Sequence, residues 1–158
     1  MSMSGSCLCG NVKIEVTGEP EFKTICHCLD DRKISNSAFS YACNFPKSQF
    51  SITASSDTSL KTYTKTSDHG TQISSHFCSN CGVTLWRSGG TMGADIVNVK
   101  AGVLDDPQWL SESGKPVLEV YVDRRLQWVP KLEGVLQLNS KYEIIEGVPD
   151  PEFVERRR

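Results

Sequence analysis

Apolar and polar positions alternate along this chain with a period of two, in short runs broken by Gly, Pro, Asn, Asp and Ser. In "NVKIEVTG", Val12, Ile14 and Val16 fall on one side of an extended backbone and Lys13 and Glu15 on the other, as in a strand with one buried face. "AFSYACNFP" places Phe39, Tyr41, Cys43 and Phe45 on a single face, and Pro46, which has no amide hydrogen to donate, stops the run. "DIVNVKAGVL", "VLEVYV" and "YEIIEG" continue the pattern. The polar stretch "SITASSDTSLKTYTKTSDHGTQISS" predicts weak strands joined by exposed turns, with Ile52, Leu60, Tyr63 and Ile73 as its apolar anchors. Helical signals are few. One short helix is predicted from Asp30 to Ser35, with Asp30 or Asp31 placed to cap its first turn, and "DDPQW", Asp105 to Trp109, predicts another turn. The pattern predicts a mainly β fold with one or two short helical turns, followed by a poorly ordered tail in "PDPEFVERRR".

A chain of 158 residues is long enough for one domain with a real core and short for two. With 17 basic and 19 acidic residues the formal net charge is −2, which offers no electrostatic case for nucleic acid or an anionic membrane. Arg156, Arg157 and Arg158 read as a solvated tail. No stretch approaches the length of a membrane span, and "MSMSGSCLCG" has neither a charged nor an apolar leader region, so a cytoplasmic protein is expected. In a reducing compartment, seven cysteines read as thiols or metal ligands rather than disulfides, and the odd count agrees.

Four cysteines form two close pairs. Cys78 and Cys81 in "FCSNCG" have knuckle spacing, in which a tight turn aims backbone N–H groups at the thiolates and Gly82 accepts positive φ. Cys7 and Cys9 in "GSCLCG" lie between Gly5 and Gly10, which let a strand bend so that residues two apart face one ion. Four thiolates complete a tetrahedral zinc site with no open position, a structural role; the competing reading is four small buried apolar residues. A second group sits in "ICHCLDDRKISNSAF", where Cys26 and Cys28 flank His27 and Asp31 follows three residues after Cys28. A second ion held by Cys26, Cys28 and Asp31 would keep a fourth position open, the condition for catalysis, and its oxygen ligand would leave the metal harder. The alternative for Asp31 is a helix cap or a solvated acid. Cys43 reads as a core residue, with substitution for the missing thiolate as its alternative. His27, between the two cysteines of an extended segment, points away from the ion they would share; His69 and His76 receive no role. Arg32 and Lys33 are candidates to attract an anionic substrate, against a reading as solvated charges.

Taken together, "GSCLCGNVKIEV", "CHCLDDRKISNSAF", "FCSNCGVTLW", "VKAGVLDDP" and "DRRLQWVPKLEG" resemble, in order, the landmarks of the glutathione-dependent formaldehyde-activating enzyme (GFA) and centromere protein V family. The resemblance implies a GFA-like domain over 5–137, with 138–158 as a C-terminal extension and tail. It implies zinc-stabilised antiparallel sheets of the β-tent type, similar to a small Rab-binding guanine-nucleotide-exchange factor. It places a structural zinc on Cys7, Cys9, Cys78 and Cys81. The family's catalytic zinc is held by three cysteines in a C-H-C-x-x-C segment, falling here on Cys26, Cys28 and position 31. This chain departs from that pattern at Asp31, at Asn36, where relatives commonly have glycine, and at Glu119, where histidine is frequent. The implied activity is that of a carbon–sulfur lyase of the S-(hydroxymethyl)glutathione synthase type, with glutathione as co-substrate. With Asp31 as an oxygen ligand, the expected substrate is a small thiol adduct or carbonyl compound, with formaldehyde used inefficiently. The alternative is a non-catalytic zinc-stabilised binding module with a degenerate second site. Oligomeric state is left open.

Overall fold

The structure, a computed structural model, describes residues 2–147. Its elements in chain order are β1 (Ser2–Ser6), β2 (Val12–Thr17), β3 (Phe22–Cys26), α1 (Leu29–Ser35), β4 (Ser40–Pro46), β5 (Phe50–Ala54), β6 (Leu60–Thr66), β7 (Gln72–Cys78), β8 (Thr84–Gly89), β9 (Ile96–Lys100), α2 (Pro107–Glu112), β10 (Leu118–Val120), β11 (Leu136–Leu138) and β12 (Ile144–Glu146). The strands form a small sheet, β1-β2-β5, and a large one, β12-β11-β10-β3-β4-β9-β8-β7-β6. Mainly β architecture is as the alternation predicts. The antiparallel expectation needs one amendment, because β10 pairs in parallel with both β3 and β11. The tail expected in the last ten residues lies outside the described residues.

Alternation decides which face of the large sheet carries what. Cys43 and Phe45 of β4 register with Val99 and Val97 of β9, and these side chains join Val12, Ile14 and Val16 of the small sheet in one buried cluster with Leu85 and Trp86. Burying each such aliphatic or aromatic side chain stabilises the fold by about 1.5–3 kcal/mol relative to exposure. The intervening residues face the other way: Phe22 registers with Asn44, Asn44 with Asn98, Asn98 with Arg87, and Ala42 with Lys100. Ala42, Asn44 and Lys100 are buried as well, so β4 and the end of β9 are covered on both faces. A polar, charged layer therefore sits on the side of the sheet opposite the main core.

Gly5 of β1 lies against the backbone of the turn that follows β9. A side-chain carbon there would run into the backbone carbonyl of Val103, and Gly5 itself bridges to Leu104. Two expectations are corrected at the sheet edges. Ile52 and Tyr63 are 43% and 61% exposed and anchor nothing, because β5 and β6 are edge strands whose outer residues meet solvent. Lys61 and Lys65 on β6 are the sort of charges that discourage edge-to-edge pairing.

Helix α1 begins one residue earlier than predicted, and neither Asp30 nor Asp31 caps it. Cys28 is the N-cap, its Sγ accepting from the Asp31 amide at 3.3 Å, while both aspartates lie in the first turn, where the helix dipole favours negative charge. The helix ends at Asn36 with φ 48°, a left-handed conformation that asparagine tolerates and glycine adopts freely. In α2, Asp106 accepts from the Trp109 amide at 2.8 Å and Pro107 opens the helix, which seats Trp109 in the core.

Candidate metal centres and adjoining cavity

Among the described residues, two groups of side chains bring at least three metal-ligating atoms within 4.8 Å of one another: Cys7, Cys9, Cys78 and Cys81, and Cys26, Cys28 and Asp31. In the first, the Cys7 and Cys9 Sγ atoms are 3.6 Å apart, as are those of Cys9 and Cys78. Zinc–sulfur bonds of about 2.3 Å in a tetrahedron place sulfurs about 3.8 Å apart, so the donor set fits zinc. Gly82 has the positive φ expected of it, 75°, with its amide donating to the Cys78 carbonyl, and the Cys81 and Asn80 amides are the ones that reach the Cys78 sulfur. The Val12 amide donates to Cys7 Sγ at 3.3 Å. The Asn80 side chain and the Asn11 amide lower the pKa of Cys9 to about 6, which favours the thiolate that a metal needs.

The second group is built by β3, β10 and the start of α1. Cys26 ends β3 in register with Ser40 on one side and Val120 on the other. The His27 amide donates to the Val120 carbonyl at 3.1 Å, and its ring is fully buried on the side away from Cys26 and Cys28. There His27 Nε2–H donates to Glu119 Oε1 at 2.7 Å, and Arg125 grips both Glu119 oxygens at 3.1 and 3.0 Å. Burial lowers the His27 pKa despite the carboxylate, so the ring is a neutral hydrogen-bond donor that fixes the segment. Glu119, where the resemblance leads to an expectation of histidine, is the buried partner of His27 and Arg125.

Asp31 is 7% exposed and uses its two oxygens differently. Oδ2 is 3.5 Å from Cys28 Sγ, close to the spacing of about 3.6 Å that a shared zinc ion would give a sulfur and an oxygen ligand. Oδ1 accepts from Lys100 Nζ at 2.5 Å, with Arg87 Nη1 3.8 Å away. Burial alone would raise the Asp31 pKa, but the Lys100 and Arg87 charges and the Lys100 hydrogen bond outweigh it and bring it down to about 2. Asp31 is therefore a carboxylate at any ordinary pH. The hydrogen bond between Cys26 and Cys28 raises the first thiol, which is also buried, and lowers the second, making Cys28 the readier thiolate. The donor set of Cys26, Cys28 and Asp31 fits zinc with one position left over.

Cys26, Cys28 and Asp31 line a cavity of about 230 Å³ over the polar face of the large sheet. Thr24, Asn44, Asn98 and Arg87 contribute to its floor, and His69, Tyr121, Arg124 and Tyr142 to its wall, with Cys26 and Cys28 packed against the apolar cluster that holds Tyr121. Arg32 and Lys33 are not among its lining residues; Lys33 is exposed on α1. Cys43 is buried in the main core, where burial raises its thiol to about 11, and it does not approach the second group. His76 stacks on Trp86 at 4.6 Å and bonds Thr62 and Ser88, a structural role. His69, unassigned from sequence, reaches Tyr121 Oη at 3.0 Å. Lys100 and Arg87 were not visible as site residues, since their partners on α1 lie far away in the chain and only the sheet order brings them near.

A crystal structure of a Rhodobacter sphaeroides protein is similar to 70% of this chain and 96% of its own, at 21% identity and a TM-score of 0.50, a likeness of fold. No curated protein sequence matches the chain significantly. The family model described as glutathione-dependent formaldehyde-activating enzyme matches residues 2–124, a span that holds both cysteine groups and ends at the cavity's Arg124. The chain belongs to the glutathione-dependent formaldehyde-activating enzyme family.

Proposed function

We propose that this protein is a zinc-dependent carbon–sulfur lyase-type enzyme acting on a small thiol adduct or carbonyl compound, with glutathione or a similar thiol as co-substrate. The observation that carries the reading is that Cys26, Cys28 and Asp31 meet within ligating distance in the lining of a cavity. Zinc bound there would supply thiolate activation and carbonyl polarisation. In the synthetic direction a sulfur–carbon bond forms, the carbonyl π bond breaks and the thiol proton ends on oxygen; the lyase direction reverses each change. The chain's own residues set the stage. Lys100 and Arg87 offset the negative charge of two thiolates and a carboxylate. Asn44, which donates to Thr24 and accepts from Asn98, gives the cavity floor polar groups to orient an oxygen. Cys7, Cys9, Cys78 and Cys81 hold the structural ion. Arg32 and Lys33 act at most at long range on an anionic thiol approaching the protein.

Exchange between thiol and aldehyde followed by NMR tests this reading on protein with matched structural zinc. Cys28→Ala should abolish turnover, whereas His27→Ala, which removes a residue facing away from the cavity, should retain a measurable rate. Survival of activity in Cys28→Ala with loss in His27→Ala would move the chemistry off the metal group. Formaldehyde is expected to be a poor partner, because oxygen ligation hardens the metal.

One observation favours the non-catalytic alternative: Lys100 already satisfies Asp31 Oδ1, so the group is balanced in charge without an ion. On that reading Cys28→Ala changes neither metal content nor any exchange rate.

A further inference from the structure

Two tyrosines in the cavity wall have a backbone conformation that bulky residues seldom adopt. Among the described residues, three other than glycine have positive φ: Asn36 at 48°, Tyr121 at 57° and Tyr142 at 62°. Asparagine is suited to this region by its short polar side chain, but a tyrosine there is strained and persists only when its surroundings hold it. Both tyrosines are in the same wall, with ring centroids 5.9 Å apart and planes at 85°.

The surroundings hold them from three separate segments. Asn139 Oδ1 accepts from the amides of Lys141 and Glu143, and the Ser140 amide and hydroxyl donate to the Asp123 carboxylate at 2.7 and 2.6 Å, which fixes the turn bearing Tyr142. Tyr142 Oη lies 2.9 Å from Thr91 Oγ1. The His69 ring packs 4.8 Å from Tyr142, and Arg124 sits 5.0 Å over the Tyr121 ring while pairing with Asp68 at 2.7 Å.

The space these rings border suits a particular ligand. Phe22, Ile73, Met92 and Leu118 add apolar surface beside the polar floor, and each lining lysine and arginine already faces a carboxylate: Lys65 faces Asp30, Arg87 faces Asp30 and Asp31, and Arg124 faces Asp68. At about 230 Å³ it exceeds the ~150 Å³ of an apolar cavity known to hold a benzene molecule. An aldehyde of two heavy atoms would leave most of it unfilled.

We infer that Tyr121 and Tyr142 form an aryl subsite: the carbonyl compound or thiol adduct carries an aromatic ring that packs on this wall while its reacting end lies at Cys26, Cys28 and Asp31. The placement of the reacting end rests on the function proposed above; the ring subsite stands on its own geometry. Tyr121 lies within the family match and Tyr142 beyond residue 124, where it ends, so half of the subsite belongs to the segment that carries β11 and β12.

The test compares benzyl mercaptan with 2-mercaptoethanol for binding to the full-length zinc-loaded protein by calorimetry, in wild type, Tyr142→Asn and Tyr142→Phe. Asparagine keeps the left-handed turn but removes the ring, and phenylalanine keeps the ring; matched thermal midpoints verify that each variant folds. Edge-to-face ring contacts and burial predict about tenfold tighter binding of the benzyl thiol, a gap that collapses in Tyr142→Asn and survives in Tyr142→Phe. Equal binding of the two thiols, or a gap indifferent to Tyr142→Asn, overturns the subsite. Should neither thiol bind, the metal reading fails separately, and the ring is tested with benzyl alcohol by saturation-transfer NMR. Transfer that is lost in Tyr142→Asn upholds the subsite, and absence of transfer in wild type overturns it.

Discussion

Position 31 carries a carboxylate where the family segment implies a thiolate, and its neighbours suit an acid. Lys100 and Arg87 reach Oδ1 from two strands while Oδ2 stays beside Cys28. Lys100→Met should therefore destabilise protein carrying only the structural ion by up to about 3–5 kcal/mol, since the buried Asp31 carboxylate keeps only the more distant Arg87 as a counter-charge. Zinc would restore a positive charge next to Asp31, so zinc addition should raise the melting temperature of Lys100→Met more than that of wild type, as differential scanning calorimetry can measure. An equal rise would place Asp31 outside the metal shell. Cys43 gives a second residue-level prediction. Its thiol is raised to about 11 by burial, so the folded state holds that proton more tightly than the unfolded chain, whose thiol titrates near about 8.5. The stability this contributes is complete below about pH 8.5 and is lost as pH rises through about 11. Chemical denaturation across that range should show a shallower decline in Cys43→Ala than in wild type. The strand face of Cys43 was legible from alternation alone, whereas the Lys100–Asp31 pair, 69 residues apart in sequence, was not: strand periodicity gives the side a residue faces but not the strand it meets.

Strands and turns show the same division. β2 reads directly from its sequence because one face is buried and the other wet, the condition under which alternation carries information. β4 reads only in part: its Tyr41-Cys43-Phe45 face was evident, but Ala42 and Asn44 on the opposite face are buried too, under a cavity that no local pattern announces. "VLEVYV" promised a longer strand than Leu118–Val120, because Tyr121 turns left-handed to join the cavity wall. The cysteine pairs were the most legible feature, since ligand spacing and turn geometry are local. The hairpin that joins β7 to β8 is tied to the N-terminal segment through them, and Cys81→Ser should give protein that is insoluble, or that unfolds well below wild type with less zinc, read by thermal melting and metal analysis. A normally stable, fully metallated variant would refute the structural assignment. Gly5→Ala should also destabilise strongly, because its methyl group meets the Val103 carbonyl, a backbone atom that cannot swing aside.

At the scale of the whole molecule, the large sheet is a platform with two faces. One buries the apolar core against the small sheet, and the other gathers Cys26, Arg87 and Asn98 from separate strands beneath a cavity that α1 and the residues around Tyr121 and Tyr142 complete. No helix among the described residues is long and apolar enough to cross a membrane. The family match spans both cysteine groups, and the segment after residue 124 adds two strands and a ring of the cavity wall. What the platform does depends on whether Cys26, Cys28 and Asp31 hold an ion. Zinc per chain, measured by inductively coupled plasma mass spectrometry on wild type, Asp31→Ala and Cys28→Ala before and after zinc addition, addresses this most directly. The account predicts between one and two ions in purified wild type, rising toward two with added zinc, and one in each variant, carried by Cys7, Cys9, Cys78 and Cys81. A wild-type content fixed at one, unmoved by added zinc and unaffected by Cys28→Ala, would contradict it.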